Sequence, residues 1–340
     1  MRLHVATGGR GWYRISTSLR HHLAREPSFG PTRTVGLHVE AERRTDRLYW
    51  GIGPRAPFDA RVRFAESFVD AHLATTLRPW PKSRIDADLS VRRADFDDEH
   101  GELAAALRRG FVAPPGAFES GYTLARIGLR TILDTRTPAP LEGPPESDAE
   151  EPSSTGVRFG ARMEMLGGPS VDDSSIYAAR PMLALLRQSA KLTAAVDVWR
   201  RRVVSVSFAA ERIDPQVPEE GGRASIPFTE LASLGGGRPL RGFLPGRLLG
   251  RSALSSTVEY AWPIWIWLEG VIHYGFGNVF GPSFEGASLG ALRQSFGFGM
   301  RTNVGTEHGF ELLVAAGTRP LDEGGAPESL RLVVGSQLDW

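Results

Sequence analysis

The 340-residue chain contains no cysteine, which removes disulfide scaffolds, thiol nucleophiles and zinc ribbons together. It also lacks any run approaching the roughly 18–20 uncharged apolar residues that a membrane-spanning helix requires. Its mean hydropathy is slightly negative, so a helical membrane protein is excluded. Neither sign of charge dominates, with 40 Lys and Arg against 39 Asp and Glu. No global field therefore favours nucleic acid or an acidic substrate. The opening Met1-Arg2-Leu3-His4-Val5 is not a basic segment followed by an apolar core, so the chain does not begin on a signal peptide. Two expectations follow, a cytosolic protein or one whose front end is missing.

What the chain does contain is turn formers and alternation. Its 39 glycines and 24 prolines exceed what helix interiors tolerate. Between these turn signals runs a period-two pattern in segments of about ten residues, the mark of a strand whose faces meet different surroundings. Residues 84–92 set Ile85, Ala87, Leu89 and Val91 against Arg84, Asp86, Asp88, Ser90 and Arg92. Residues 157–165 set Val157, Phe159, Ala161, Met163 and Met165 against Arg158, Gly160, Arg162 and Glu164. The same pattern predicts strands at 11–22, 33–45, 61–77, 120–134, 174–188, 190–198, 203–212, 251–261, 264–274, 290–302, 307–317 and 328–340. That makes fourteen, with residues 2–8 a fifteenth.

A soluble β-sandwich alternates too, but three features favour lipid outside. Aromatic residues stand at strand ends (Trp12, Tyr13, Tyr49, Trp50, Trp80, Tyr122, Tyr177, Trp262, Trp340), as interfacial girdles require, and the alternating runs succeed one another along nearly the whole chain. The third feature is the end of the chain. Leu330, Leu332, Val334, Leu338 and Trp340 share one face, opposite Arg331, Gly335, Gln337 and Asp339, and the sequence stops on an aromatic in mid-pattern. A soluble chain usually frays there, whereas a barrel must pair its last strand with its first. Some connections are tight and others long and polar, notably 143–155, read as a solvated acidic loop, and 213–250. Tight turns at one end and long loops at the other describe an up-and-down membrane barrel.

From Ser225 to Phe280 the order of parts is Pro227-Phe228 and Leu231, then Leu234-Gly235-Gly236, then Leu240-Arg241-Gly242-Phe243, then a strand opening into Val258-Glu259-Tyr260, then a Gly-Phe-Gly-Asn-Val turn. This order resembles the BamA/TamA-like outer-membrane assembly factors of the bacterial surface antigen family. Also similar to that family are Ser295 to Arg301, the Asp134-Thr135-Arg136 element, the Leu48 to Gly53 segment and the terminal Trp340, so the resemblance covers roughly residues 33–340. It departs at Gly275, where many relatives carry aspartate, and at Ala261, where an arginine is expected, so a changed loop anchor is expected. No periplasmic POTRA domain precedes residue 33, which points to a front end that is missing or carried by another chain.

The resemblance implies an all-β fold, a single antiparallel transmembrane β-barrel over 1–340 of nominally about sixteen strands, fourteen of them visible. It implies that 213–250, far longer than a hairpin needs, folds into the lumen. There Arg241 needs a carboxylate, because a buried unpaired guanidinium is very costly. Alternation points Glu259 and Glu269 inward, and either is a candidate partner. Leu338 and Trp340 stand as the C-terminal strand signal that the assembly machinery reads. The implied function is insertion of barrel proteins into the bacterial outer membrane, or movement of polypeptide across it, through strand addition at a weak seam by residues 328–340. Implied partners are outer-membrane lipid and lipopolysaccharide, client outer-membrane proteins, and periplasmic or inner-membrane subunits.

Residues that bear chemistry form no convincing site. Ser252, Ser255 and Ser256 lie on a strand with His273 across from it, the basis of a lipid-hydrolase alternative, but no Gly-x-Ser-x-Gly is present. His4, His21 and His22 have no carboxylates at ligand spacing, so no metal and no cofactor is expected. Leu234–Gly237 lacks the Lys-Ser/Thr of a phosphate loop. Arg200-Arg201-Arg202 reads as a periplasmic turn. The other alternative is a passive channel or structural barrel without a client. Removing Trp340 is expected to lower the yield of membrane-inserted protein on a heat-modifiability gel, and an unchanged yield would make the terminal pattern incidental.

Overall fold

The protein is seen as a computed structural model that describes residues 2–8, 11–26, 30–80, 82–99, 101–110, 115–138, 154–169, 182–216, 226–237, 239–265, 267–302 and 310–336. Its strands are β1 (Arg2–Thr7), β2 (Tyr13–Glu26), β3 (Gly30–Tyr49), β4 (Val62–Trp80), β5 (Ser83–Asp97), β6 (Tyr122–Asp134), β7 (Thr137–Pro138), β8 (Ser154–Pro169), β9 (Met182–Trp199), β10 (Arg202–Pro215), β11 (Ala232–Leu234), β12 (Leu248–Gly250), β13 (Ser252–Trp265), β14 (Leu268–Phe280), β15 (Arg293–Thr302), β16 (Phe310–Thr318) and β17 (Pro327–Ser336). Fourteen of them follow one another in a single antiparallel sheet from β1 to β17. The short β7 pairs with the start of β8, and β11 pairs with β12 inside the long connection. Among the described residues β1 pairs only with β2 and β17 only with β16, so the expected hydrogen-bonded closure is not seen there. The chain has one helix of note among these residues, α1 (Glu102–Arg108).

The two strands predicted at 174–188 and 190–198 are a correction. The structure has one strand, β9, in unbroken register with β8 from Gly156↔Ala195 to Pro169↔Met182. The stretch Arg187-Gln188-Ser189-Ala190-Lys191 continues the alternation and holds no glycine, proline or asparagine to turn the chain. The count of fourteen survives because β1, the spare candidate, is a real strand. The merger also changes the parity of the wall. Three strands, not four, separate the 135–153 connection from the 216–251 connection, so these two long connections lie at opposite ends of the sheet. The tight turns at 81–82, 200–201 and 266–267 share their end with 135–153.

The faces are inverted relative to a soluble protein. Along β5, the apolar Ile85, Ala87, Leu89 and Val91 are exposed while Asp88 and Ser90 are buried. On β6, Ile127 is 65% exposed, and on β8 Met163 and Met165 stand out while Glu164 is only 3% exposed. The buried charges pair along the inner wall: Arg162 with Glu164 at 2.9 Å, Arg47 and Arg92 with Glu66 at 2.9 Å each. Water supports no such arrangement as a free surface, because burying charge and exposing leucine both cost free energy. A hydrocarbon exterior reverses both costs.

At the end of the wall opposite the tight turns, the inner face changes from charged to apolar. Tyr49, Phe64, Tyr122, Leu124, Leu166, Leu185 and Ile213 form one buried cluster with Leu103 and Ala106 of α1. Tyr49, Trp50 and Tyr122, expected in an interfacial girdle, are buried instead, because their strand-end positions face the interior. Tyr177 and Trp340 lie outside the described residues. The sheet is rolled, since the 50–61 connection touches strands far along its order. Asn278 and Arg293 donate to Pro54 O at 3.0 and 3.3 Å, and Arg55 pairs with Asp322 at 2.5 Å.

Ile127→Arg, at mid-strand of β6, is expected to cost about 2–4 kcal/mol of stability in a bilayer. Urea unfolding in phospholipid vesicles measures it, and an unshifted midpoint would place that face outside hydrocarbon.

Candidate functional site

The connection between β10 and β13 returns into the rolled sheet and crosses it. After Gln216 its next described part begins with Ile226 to Glu230, which ends in a single 3-10 turn. The Phe228 ring sits among Phe96, Phe64 and Tyr49 with centroids 4.9, 5.2 and 5.5 Å away, burying a large apolar area against β3, β4 and β5. Glu230, two residues on, is held by the opposite chemistry. Arg187 and Arg126 donate to its Oε2 at 2.9 and 3.0 Å, and Tyr122 donates to Oε1 at 2.9 Å. Burial alone would raise this carboxyl, but the guanidiniums of Arg187, Arg126 and Arg92 outweigh it and hold it below the ordinary carboxylate range. This end of the segment is thus fixed to β6 and β9.

The segment then forms the β11–β12 ribbon, whose tip carries Leu240-Arg241-Gly242-Phe243. Gly235 and Gly236, at φ of 114° and 90°, allow the turn into the tip where other residues would be strained. Leu240 and Phe243 are fully buried among Ala232, Leu234, Leu248, Ala253 and Val279. Gly242 lies flat on β16, where a Cβ would come within 2.1 Å of Ala316 O. Its N–H donates to Ser295 Oγ at 2.9 Å and its carbonyl accepts from Ser329 Oγ at 2.7 Å. Arg331 of β17 donates to the carbonyls of Gly236 and Arg241 at 2.8 and 2.9 Å, and to that of Phe243. These bonds satisfy backbone that leaves the sheet, as buried carbonyls require.

Arg241, 3% exposed, lies 3.1 Å from Glu311 Oε1 on β16 and 3.4 Å from Glu259 Oε2 on β13. Of the two carboxylates considered from sequence, Glu259 is the one brought to it. Glu269 stands opposite Arg301 in the β14–β15 register and pairs with it at 3.4 Å, and with Arg201 at 3.7 Å. Arg301 also reaches Glu259 at 2.7 Å. Gly275, one of the departures noted above, provides room: a Cβ there would meet Thr257 at 2.9 Å and Leu240 at 3.2 Å. Past the tip, Arg247 pairs with Glu328 of β17 at 2.9 Å and donates to Ala56 O at 2.9 Å. Glu328 also pairs with Arg293 at 2.6 Å.

Sequence reasoning missed Glu230, Glu311 and Glu328. For Glu311 a signal existed, since it shares the inward parity of Leu313 and Ala315 on β16. Glu230 stands in a connection without periodicity and gave none. Asp134 and Arg136 of the Asp-Thr-Arg element pair with each other at 2.7 Å. The serines of the hydrolase alternative are not brought to His273: Ser255 and Ser256 face Gly277 and Phe276, and His273 Nε2 instead lies 3.4 Å from Ser295 Oγ. Leu338, Trp340 and most of the 143–155 loop lie outside the described residues. Among the described residues no cluster of three or more His, Asp or Glu has metal-site geometry.

No protein-family model matches the sequence, and no curated protein matches it. Solved structures do match in fold. BamA from Haemophilus ducreyi, in a form lacking POTRA domains 1–3, aligns with a TM-score of 0.59 at 12% identity over 96% of this chain and 62% of that one. CdiB from Acinetobacter baumannii aligns with a TM-score of 0.50 at 12% identity over 94% of this chain and 48% of that one. The chain thus spans less than two thirds of the length of either. Its fold is that of these bacterial outer-membrane barrels.

Glu230→Gln is expected to cost on the order of 3 kcal/mol, since it removes the carboxylate that Arg126 and Arg187 hold most closely and leaves them Glu164 and Glu211 at 3.4–3.5 Å. Because the carboxyl is depressed in the folded state, its contribution is fully present above its ordinary value of 4.5 and is lost as pH falls below it. Protease accessibility of residues 226–250 in the wild type should therefore rise only in that acid range. In Glu230→Gln it should be raised at neutral pH as well, and a wild-type profile in the variant would remove Glu230 as an anchor.

Proposed function

We propose that this chain is the single-domain membrane barrel of a machine that inserts polypeptides into, or moves them across, the bacterial outer membrane. The mechanism is non-covalent, and the clients are proteins with exposed strand edges. One observation carries this reading: the Leu240–Phe243 tip is seated on the inner face of β13 to β17, the strands leading to the sheet's terminal edge. The terminal edges of β1 and β17 bear backbone donors and acceptors that no described strand occupies. An incoming strand satisfies such an edge by β-augmentation, and hydrocarbon makes that exchange favourable because nothing else there can hydrogen-bond.

The passive-channel reading is less well supported. The aromatic cluster around Phe228 and the crossing segment occupy the space a free solute would use. For insertion, the segment acts as an internal strut. It fixes the curvature of the last strands while their outer edge stays available.

The test uses the full chain reconstituted in phospholipid vesicles, with a second outer-membrane barrel protein added from urea. Its folding, read by heat-modifiable migration, is expected to run faster than in empty vesicles. Arg241→Ala, which removes a buried ion-paired cation at a cost of about 3–5 kcal/mol, is expected to abolish most of that acceleration. No acceleration by the wild type, together with steady ionic conductance, would establish the channel instead.

A further inference from the structure

The turn between β9 and β10 is an unusual place for arginine. Arg200 and Arg201 occupy its two central positions at φ of 45° and 68°. A two-residue hairpin of this kind favours asparagine and glycine, because other side chains crowd the backbone at positive φ. The turn is held by Asp197, whose carboxylate accepts the N–H of Trp199 at 3.1 Å and of Arg201 at 3.0 Å. Arg201 turns towards Glu269 in the bore. Arg200 and Arg202 do not: the guanidinium carbons lie 5.4 and 4.4 Å from the Trp199 ring centroid, and among the described residues neither has a carboxylate partner.

Trp199 itself is 58% exposed, beside the exposed Val198. On the neighbouring hairpin, Trp265 and Trp267 are 64% and 48% exposed. Arg202 precedes Val203 and Trp262 follows Ala261, so the antiparallel register, which pairs Val203 with Ala261, brings Arg202 and Trp262 side by side on the outer face. That face is shared with Phe208 and Ile264, both exposed. Trp262 stacks on Tyr260 at 5.5 Å and lies over Gly270, where a Cβ would come 2.3 Å from the ring. The result is an aromatic ledge with two cations at its rim, at the tight-turn end of the wall.

We infer that this ledge binds the headgroup of an anionic phospholipid, with the phosphate between Arg200 and Arg202 and the acyl chains along Val198, Ile264 and the tryptophans. The chemistry fits on each count. Indoles partition to the membrane interface, where one edge is apolar and the other wet. Cations stacked on an indole stay in place without a carboxylate and so present their N–H groups to a phosphate. A neutral or zwitterionic headgroup brings no net charge to offset two guanidiniums. The inference rests on the reading that the outward apolar face meets lipid.

Native mass spectrometry of the detergent-purified full chain tests it, with equimolar phosphatidylglycerol and phosphatidylcholine of matched acyl chains. Phosphatidylglycerol is expected to be retained preferentially, the preference falling about fivefold for each arginine lost. It should therefore fall about 25-fold in Arg200→Gln/Arg202→Gln and persist in Arg200→Lys/Arg202→Lys, with folding of each variant checked by heat-modifiable migration. In the wild type, which needs no substitution, added salt should erode the preference. Equal retention of both lipids by the wild type, or an undiminished preference in the glutamine variant, overturns the inference. So does displacement of phosphatidylglycerol by millimolar inorganic phosphate, which would mark a site for soluble anions. Retention of neither lipid would overturn both this inference and the membrane reading beneath it.

Discussion

Charge inside a narrow bore has to be paired, and the rest of this structure follows from that requirement. A wall with hydrocarbon outside must turn its polar residues inward, and the inward residues here include Glu66, Asp88, Glu164, Glu269, Arg293 and Arg301, all buried. Cross-strand neighbours satisfy part of this demand, as in the Glu269–Arg301 pair. On the wall, Arg126, Arg162 and Arg187 share Glu164, with Glu211 also near Arg187. The crossing segment adds a further carboxylate through Glu230 on one side and takes up the carboxylates of Glu259 and Glu311 through Arg241 on the other. Segment and wall are therefore complementary in charge as well as in shape.

Each anchor has a distinct physical character. Phe228 is held by aromatic packing, Glu230 by charge-assisted hydrogen bonds, and Gly242 by a backbone approach that no side chain permits. Because these contacts reach β3 to β6 at one end and β13 to β17 at the other, the segment spans the bore as a brace. Losing one anchor leaves buried charge or backbone exposed to nothing, so the seated state is cooperative.

The wall was largely legible in the sequence, and the segment's contacts were not. Alternation in β5 and β8 fixes which residues face outward, since the period of two leaves no other assignment. From Arg187 to Lys191 the alternation runs on without a turn former, so dividing the strand there goes against the pattern, and one such error moves a whole connection to the opposite end. Strand-end aromatics are ambiguous for a related reason: position at an end does not specify a face, and Tyr49 and Tyr122 point inward. The partners of Arg241 needed information that a single strand does not hold. Both Glu259 and Glu269 have inward parity, but register sets Arg301 between Glu269 and Glu311, and the Arg241 guanidinium reaches Glu259 and Glu311, which stand three strands apart.

The terminal strands illustrate how side chains do what the backbone ladder does not. Among the described residues no hydrogen-bonded ladder joins β17 to β1, yet β17 is tied to the other side of the rolled sheet through Glu328. That carboxylate holds Arg247, which donates to Ala56 O, and Arg293, which donates to Pro54 O, so the 50–61 connection after β3 is stitched to β15 and β17. All of these contacts lie at the end away from the tight turns. A seam fixed at one end and, among the described residues, without a ladder along its length opens like a hinge, and on the proposed function that is the geometry an incoming strand needs. On that proposal the strand would enter from the end where no described strand pairs with the outer edge of β17, while the ion pairs around Glu328 keep the far end in place.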